Sequence, residues 1–300
     1  MLVDVKDSTP TMDVPVQKRT SADREAEMWL NGQLARGRLG DWFPVKHLLT
    51  PALAKLLLNC NPDNRNLKVT RATGFAADMT AGRWPENGES IIVSRDGFLN
   101  DGQNRCWAVI KSGIPYYACF VFGVSRESRL SVDQGVKRTT GDFLRMDGHK
   151  NSNYLAHAAK LLWLYLNGKN LNSGSLVTPL LQQDVVREFP GLEVSVARTI
   201  TKNARPLGGH GLMTFCHYVI SMSAGDESAV DEFFAALLDG IGLDYGDPVY
   251  LARKRLASEN ERRVENHTRA EVIFRAWNMF RTGQRLKKIQ TSGNLPKLER

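Results

Sequence analysis

Hydrophobic residues change their period near the middle of this chain. From Asn153 onward the periodic segments carry the three-to-four-residue spacing of amphipathic helices: Asn153 to Leu166, Pro179 to Phe189, Leu192 to Asn203, Leu212 to Met222, Glu227 to Leu238, Pro248 to Ala257 and Arg269 to Arg281. Before that point, helical spacing alternates with short β-rich runs. Ser90 to Ser94 is one such run, Asp96-Gly97 marks a hairpin turn, Phe98-Leu99 begins a return strand, and Tyr116 to Phe122 forms another strand. Segregated periods of this kind predict an α+β chain, with a small mixed-sheet domain followed by an all-helical one. The expected divisions are a tail over residues 1–20, a mixed domain over 21–148 and a helical domain over 149–300, with Asp147 to Asn151 as the junction.

Local signals place the remaining elements. Ser21 to Leu39 reads as a helix stopped by Gly40, and Thr50-Pro51 supplies a cap and a first-turn proline for a helix through Leu58. Thr70 is expected to cap a helix carrying Ala72, Phe75, Ala76 and Met79, which Gly82 ends. Ser125-Arg126-Glu127 opens a short helix. Thr268-x-x-Glu271 has the pattern of a capping box for the last helix. Trp84, Trp107, Trp163 and Tyr165 lie within apolar patterns and read as core.

Composition excludes several classes. With 42% hydrophobic and 24% charged residues the chain can bury a core. Apolar runs of about six residues fall far short of the roughly 18 to 20 that cross a bilayer, so no membrane partner is expected. The first 20 residues lack the pattern of an export signal. Cys60, Cys106, Cys119 and Cys216 show no C-x-x-C spacing and the six histidines are scattered, so no metal site is expected, and reduced thiols point to the cytoplasm.

Charge is unevenly distributed. Of the 40 basic and 32 acidic residues, 13 and 5 lie in Leu251 to Arg300, so the whole excess of +8 is there. Such a segment attracts polyanions by releasing their counterions, which makes DNA the expected partner. Glu259, Glu261, Arg262, Arg263 and Glu265 alternate in sign and suit a solvated helical face. Arg275, Arg281, Arg285, Lys287 and Lys288 are the candidate nucleic-acid-binding residues. A second basic feature is the helix pair across Pro190-Gly191, which carries Arg198, Lys202 and Arg205 and reads either as a helix-turn-helix or as an ordinary bundle hairpin.

The segment Asp101-Gly102-Gln103-Asn104-Arg105 stands between a strand and a helix. A glycine-containing turn there presents free backbone N–H groups and the positive end of a helix dipole at one point. Arg105, in the first turn, can lean back toward that point and hold a phosphate with its guanidinium fork. Gln103 and Asn104 add amide contacts, and Asp101 can orient Arg105 or share a magnesium ion. An Asp101–Arg105 ion pair with no ligand is the simpler alternative. A second polar cluster, Asp133 to Thr140, would bring Lys137 and Arg138 beside that turn, or else form a turn of its own around Gly135.

Three spaced segments resemble a known family. Trp84-Pro85-Glu86-Asn87-Gly88-Glu89-Ser90-Ile91, Asp101-Gly102-Gln103-Asn104-Arg105 and Asp133-Gln134-Gly135-Val136-Lys137-Arg138-Thr139 are similar to the W-x-x-N-G-x-x-I, D-G-Q-H-R and D-x-G-x-x-R-T runs of ParB-like proteins of phages and bacterial genomes. These belong to the ParB/sulfiredoxin-like fold, some of whose members bind CTP or ATP. The resemblance covers about residues 65 to 150. It implies that Gly102 and Arg105 contact nucleotide phosphates and that the ligand is a nucleoside triphosphate with magnesium. The family histidine is replaced by Asn104, which removes an imidazole from any phosphoryl transfer at that place. Cys106 lies after the arginine, outside the motif, which argues against sulfiredoxin chemistry. The expected function is nucleotide or phosphate binding, with DNA held by the basic helical region. The alternatives are an enzyme of the same fold, a metal-dependent nuclease or nucleotide-using phosphotransferase with Asp101 and Asp133 as catalytic candidates, and an accessory interaction protein without a ligand.

Overall fold

The computed structural model describes residues 20–61, 67–130, 138–173, 177–200, 202–261, 264–285 and 287–300. In chain order the elements are α1 (Ser21–Leu39), β1 (Phe43–Leu49), α2 (Pro51–Asn59), α3 (Val69–Thr80), β2 (Ser90–Ser94), β3 (Leu99–Asp101), α4 (Gln103–Ser112) and β4 (Tyr116–Val124). After a 3₁₀ turn at Arg126–Leu130 come α5 (Thr140–Met146), α6 (Ser152–Leu166), α7 (Pro179–Glu188) and α8 (Gly191–Thr199). A second 3₁₀ turn at Lys202–Leu207 leads to α9 (His210–Ala224), α10 (Glu227–Asp239), α11 (Pro248–Glu261) and α12 (Asn266–Arg281). The class is α+β, and after Val124 the regular elements are all helical among the described residues. Among those residues no helix is long and apolar enough to cross a membrane.

Two compact units emerge. One is the chain up to Leu67 together with Glu86–Val132, and the other is Lys68–Pro85 together with Asp133–Arg300. The described residues from Arg138 onward, the Asp147 to Asn151 turn among them, all belong to the second unit. That unit includes α5, a helix the polar cluster concealed, which packs on α6 and α7. Thr139 and Asp142 form a capping box at its start, each side chain taking the other's backbone N–H.

The first unit is built on one mixed sheet in the order β1-β4-β2-β3. β1 and β4 are antiparallel, β4 and β2 parallel, and β2 and β3 antiparallel. β2 reaches its parallel neighbour β4 through β3 and α4, and α2 packs on α4. Leu49, Leu53, Leu57, Ile91, Val93, Leu99, Val109, Phe120 and Phe122 are the buried centre. β1 was not expected, because Pro44, Lys46 and His47 interrupt its apolar alternation. It lies at the sheet edge, where a proline without an N–H is tolerated.

The second unit has a helical core running through α6, α9, α10, α11 and α12, with Phe215, Phe233, Phe274 and Trp277 fully buried. α3 belongs to it. Its cap position is Lys68 and makes no side-chain bond, so Thr70 sits inside the first turn and does not cap. Asp78 is buried and accepts from Arg83 Nε at 3.0 Å and Thr178 Oγ1 at 2.9 Å. Trp84 packs on Phe75 with ring centroids 4.8 Å apart, in line with its reading as core.

Thr268-x-x-Glu271 is not a capping box. α12 starts at Asn266 with Glu265 in the cap position, and Glu271 lies one turn further in, with no exposure. Its carboxylate accepts from Ser292 N, Gly293 N and Arg275 Nε, which fastens the irregular segment Lys287–Arg300 along α12. Trp277 Nε1 and Asn278 Nδ2 donate to Glu299 O and Lys297 O in the same segment.

Candidate functional site

The strand–turn–helix read from the sequence forms as expected. β2 and β3 pair with Ile92 opposite Asp101 and Val93 opposite Leu99, with an irregularity between the two pairs. Gly102 then turns the chain at φ +110° and occupies the cap position of α4, which has no side-chain cap. Glycine is needed there twice over. The conformation is left-handed, and a Cβ would lie 3.1 Å from the Ile91 side chain.

Arg105, in the first turn of α4, leans back toward Gly102 and is 7% exposed. Its Nη2 donates to Asp101 Oδ2 at 2.8 Å and to the Ser90 carbonyl at 2.7 Å, and its Nη1 reaches Glu89 Oε2 at 3.5 Å. The guanidinium thus ties the start of α4 to the end of β3 and the start of β2. Both carboxylates are more open than the arginine, and Glu89 is exposed. With one cation and two anions the cluster carries a formal charge of about −1 at neutral pH.

The neighbours are neutral. Gln103 is buried and its Oε1 accepts from Asn61 Nδ2 at 3.0 Å. Asn104 is 8% exposed, and its side-chain oxygen is buried with no hydrogen-bond partner among the described residues. Burial pushes the Cys106 thiol up to about 12, against the pull of Arg105 and with a smaller push from Asp101. It stays protonated and is no nucleophile at neutral pH. Tyr116, at the start of β4, is likewise raised to about 12 by burial, opposed by Arg105 and reinforced by Cys106 and Glu89. Sequence reasoning missed Tyr116, because only the folded structure brings it within electrostatic reach of Arg105.

Of the second cluster, Asp133 and Lys137 lie outside the described residues. Arg138 is exposed and belongs to the second unit, just ahead of the Thr139 cap. The C-terminal cations divide into two sets. Arg275 Nε binds Glu271 at 2.9 Å and its Nη2 binds Ser292 Oγ at 2.9 Å. Arg281 bonds Asp226 and the Arg300 carbonyl at 3.2 Å each and lies over the Trp277 ring. Those two hold the fold together. Arg285 is 66% exposed with Asp244 at 3.5 Å, and Lys287 and Lys288 are exposed with no ion pair among the described residues.

The α7–α8 pair also uses its charges internally. Arg198 pairs with Asp231, and Glu193 pairs with His149. Among the described residues no group of three or more His, Cys, Asp and Glu side chains stands together to hold a metal. No protein-family model, curated protein or solved structure matches this chain.

Proposed function

We propose that this chain is a ParB-like phosphate-binding protein, taking a nucleoside triphosphate with magnesium at the start of α4 and DNA on its basic helical end. The observation that carries the reading is the uncapped start of α4 behind a left-handed Gly102, with the Arg105 guanidinium held at the same point by Asp101 and Glu89. Backbone donors, a helix dipole and a fork-shaped cation then face one place.

The charge of the cluster selects among phosphates. Two carboxylates beside one guanidinium repel a bare phosphate and attract one that arrives with a divalent cation. Magnesium keeps most of its waters and is held by one or two carboxylates plus phosphate oxygens, which suits Asp101 and Glu89. Arg105 would exchange a carboxylate oxygen for a phosphate oxygen of like geometry. DNA would be held by Arg285, Lys287 and Lys288, since Arg275 and Arg281 are engaged within the fold.

A thermal-shift series with each nucleoside triphosphate, with and without magnesium, tests the nucleotide part. Stabilisation by a nucleotide only in the presence of magnesium supports it. No shift with any of them leaves the ligand-free interaction protein as the better reading.

A further inference from the structure

The loop between α10 and α11 frames a cavity of about 370 Å³ that lies wholly within the second unit. α10 stops at Gly240, which takes a left-handed φ of +72°, and at the start of α11 the Asp247 side chain accepts from Val249 N at 2.7 Å. Leu243, Val249 and Phe280 line the cavity, with Phe280 held against Phe233 and Trp277. Ile241 is also in the lining yet 83% exposed, and Tyr245 on the same loop is 73% exposed. Large apolar side chains left in water beside an apolar cavity mark an interaction surface.

Charge identifies the occupant. Between Arg205 and Arg253 the chain has no lysine or arginine, and residues 226–247 hold seven carboxylates, in a protein whose net charge is +8. Glu232, Asp239 and Asp247 line the cavity. Asp247 is engaged at the start of α11, but Glu232 and Asp239 are exposed and have no ion pair among the described residues. The cations of this region point elsewhere. Arg253 donates to the Leu237 and Leu238 carbonyls at the end of α10, and Arg281 and Arg285 pair with Asp226 and Asp244, which are outside the lining.

We infer that this groove docks a segment of a partner protein that sets a bulky apolar side chain into the cavity and flanking lysines or arginines against Glu232 and Asp239. A polyanion is repelled by this rim, and a second copy of the chain approaches against a net charge of +8 of its own sign, so a basic segment of another protein fits better than either. The groove uses none of the residues of the α4 reading and stands whether or not that reading does.

The test uses the full chain and two fluorescently labelled amphipathic peptides, one of leucine and lysine and one with glutamate in place of lysine. Anisotropy reads the affinity, and the methyl resonances of Ile241 and Leu243 read the place. The lysine peptide is expected to bind and to shift both sets of methyls, despite the positive charge of the protein as a whole, and the glutamate peptide to shift neither. The double variant Glu232→Lys, Asp239→Lys is expected to weaken the lysine peptide by about tenfold or more, since two attractions become repulsions. Both positions are exposed and a cation in the last turn of α10 suits its dipole, so the melting temperature of the variant should be unchanged. Ile241→Ala, which leaves the charges in place, is expected to weaken the peptide as well. A lysine peptide that does not bind, that binds without moving the Ile241 and Leu243 resonances, or that binds the double variant as tightly as the unmodified chain would overturn the proposal. The same methyl shifts on concentrating the chain alone would overturn it too, since the occupant is then a second copy.

Discussion

Replacing Glu271 by glutamine removes one charge from a buried position while keeping its shape. In the native protein Oε1 accepts from Ser292 N at 2.6 Å, Ser292 Oγ at 3.2 Å and Arg275 Nε at 2.9 Å, and Oε2 accepts from Gly293 N at 3.0 Å. A glutamine can keep its oxygen on one side only, so its NH₂ faces either the Gly293 amide or the Ser292 and Arg275 donors. One acceptor becomes a donor against a donor, and Arg275 loses its counter-charge. Breaking one side of a buried pair costs about 3–5 kcal/mol. Arg275 keeps 28% of its side chain in solvent, which sets the expectation near the lower end, at about 3 kcal/mol. Burial by itself raises the Glu271 carboxyl, but the Ser292 and Gly293 amides, Arg275 and the Ser292 hydroxyl outweigh it and hold the group below the ordinary glutamate value of 4.5. A lowered folded-state value means that this stabilisation is complete above the ordinary value and is lost as pH falls through the lowered one. Urea unfolding at pH 7, with hydrogen exchange at Ser292 and Gly293, measures the effect. The variant should unfold at lower urea, exchange those two amides faster, and lack the wild-type loss of stability in acid from this group. A change below about 1 kcal/mol with unaltered exchange would refute the reasoning.

Gly102→Ala places a Cβ against Ile91 in a left-handed conformation that itself costs about 1–2 kcal/mol, so urea unfolding should show a loss of at least that size. His217 is driven down to about 4, chiefly by burial, with Asp231 pulling it back up and Arg198 adding to the fall. Its stabilisation is therefore complete above the ordinary 6.5 and is lost as pH falls from there toward 4, and the His217 ring resonances should titrate near 4.

Legibility in the sequence followed the range of the interactions. α1, β2 and the starts of α2, α7 and α10 were readable because caps, prolines and periodic apolar residues act within a few positions. β1 was not, since an edge strand needs little apolar alternation and its pairing partner lies some seventy residues on. α5 was hidden by the polar residues that cap it. Glu271 obeyed the spacing of a capping box but serves a segment more than twenty residues away. At the site, the i,i+4 pairing of Asp101 with Arg105 was visible in sequence as an alternative to phosphate binding. The Ser90 carbonyl and Glu89 were not visible as its partners, because only the β2–β3 hairpin brings them to the guanidinium. The division of the basic residues into Arg275 and Arg281, which fasten the fold, and Arg285, Lys287 and Lys288, which do not, depends likewise on tertiary interactions that spacing does not encode.

The central claim, that the α4 start holds the phosphates of a magnesium-bound nucleotide through Arg105, is tested most directly by isothermal titration of each nucleoside triphosphate with magnesium into the unmodified chain and into Arg105→Ala, both kept well below their melting temperatures. One nucleotide should bind the unmodified chain, and the variant should bind it more weakly by about 1.5–3 kcal/mol, the range of a charge-assisted hydrogen bond. Equal affinity in a folded variant, or no binding of any nucleotide to the unmodified chain, would contradict the account.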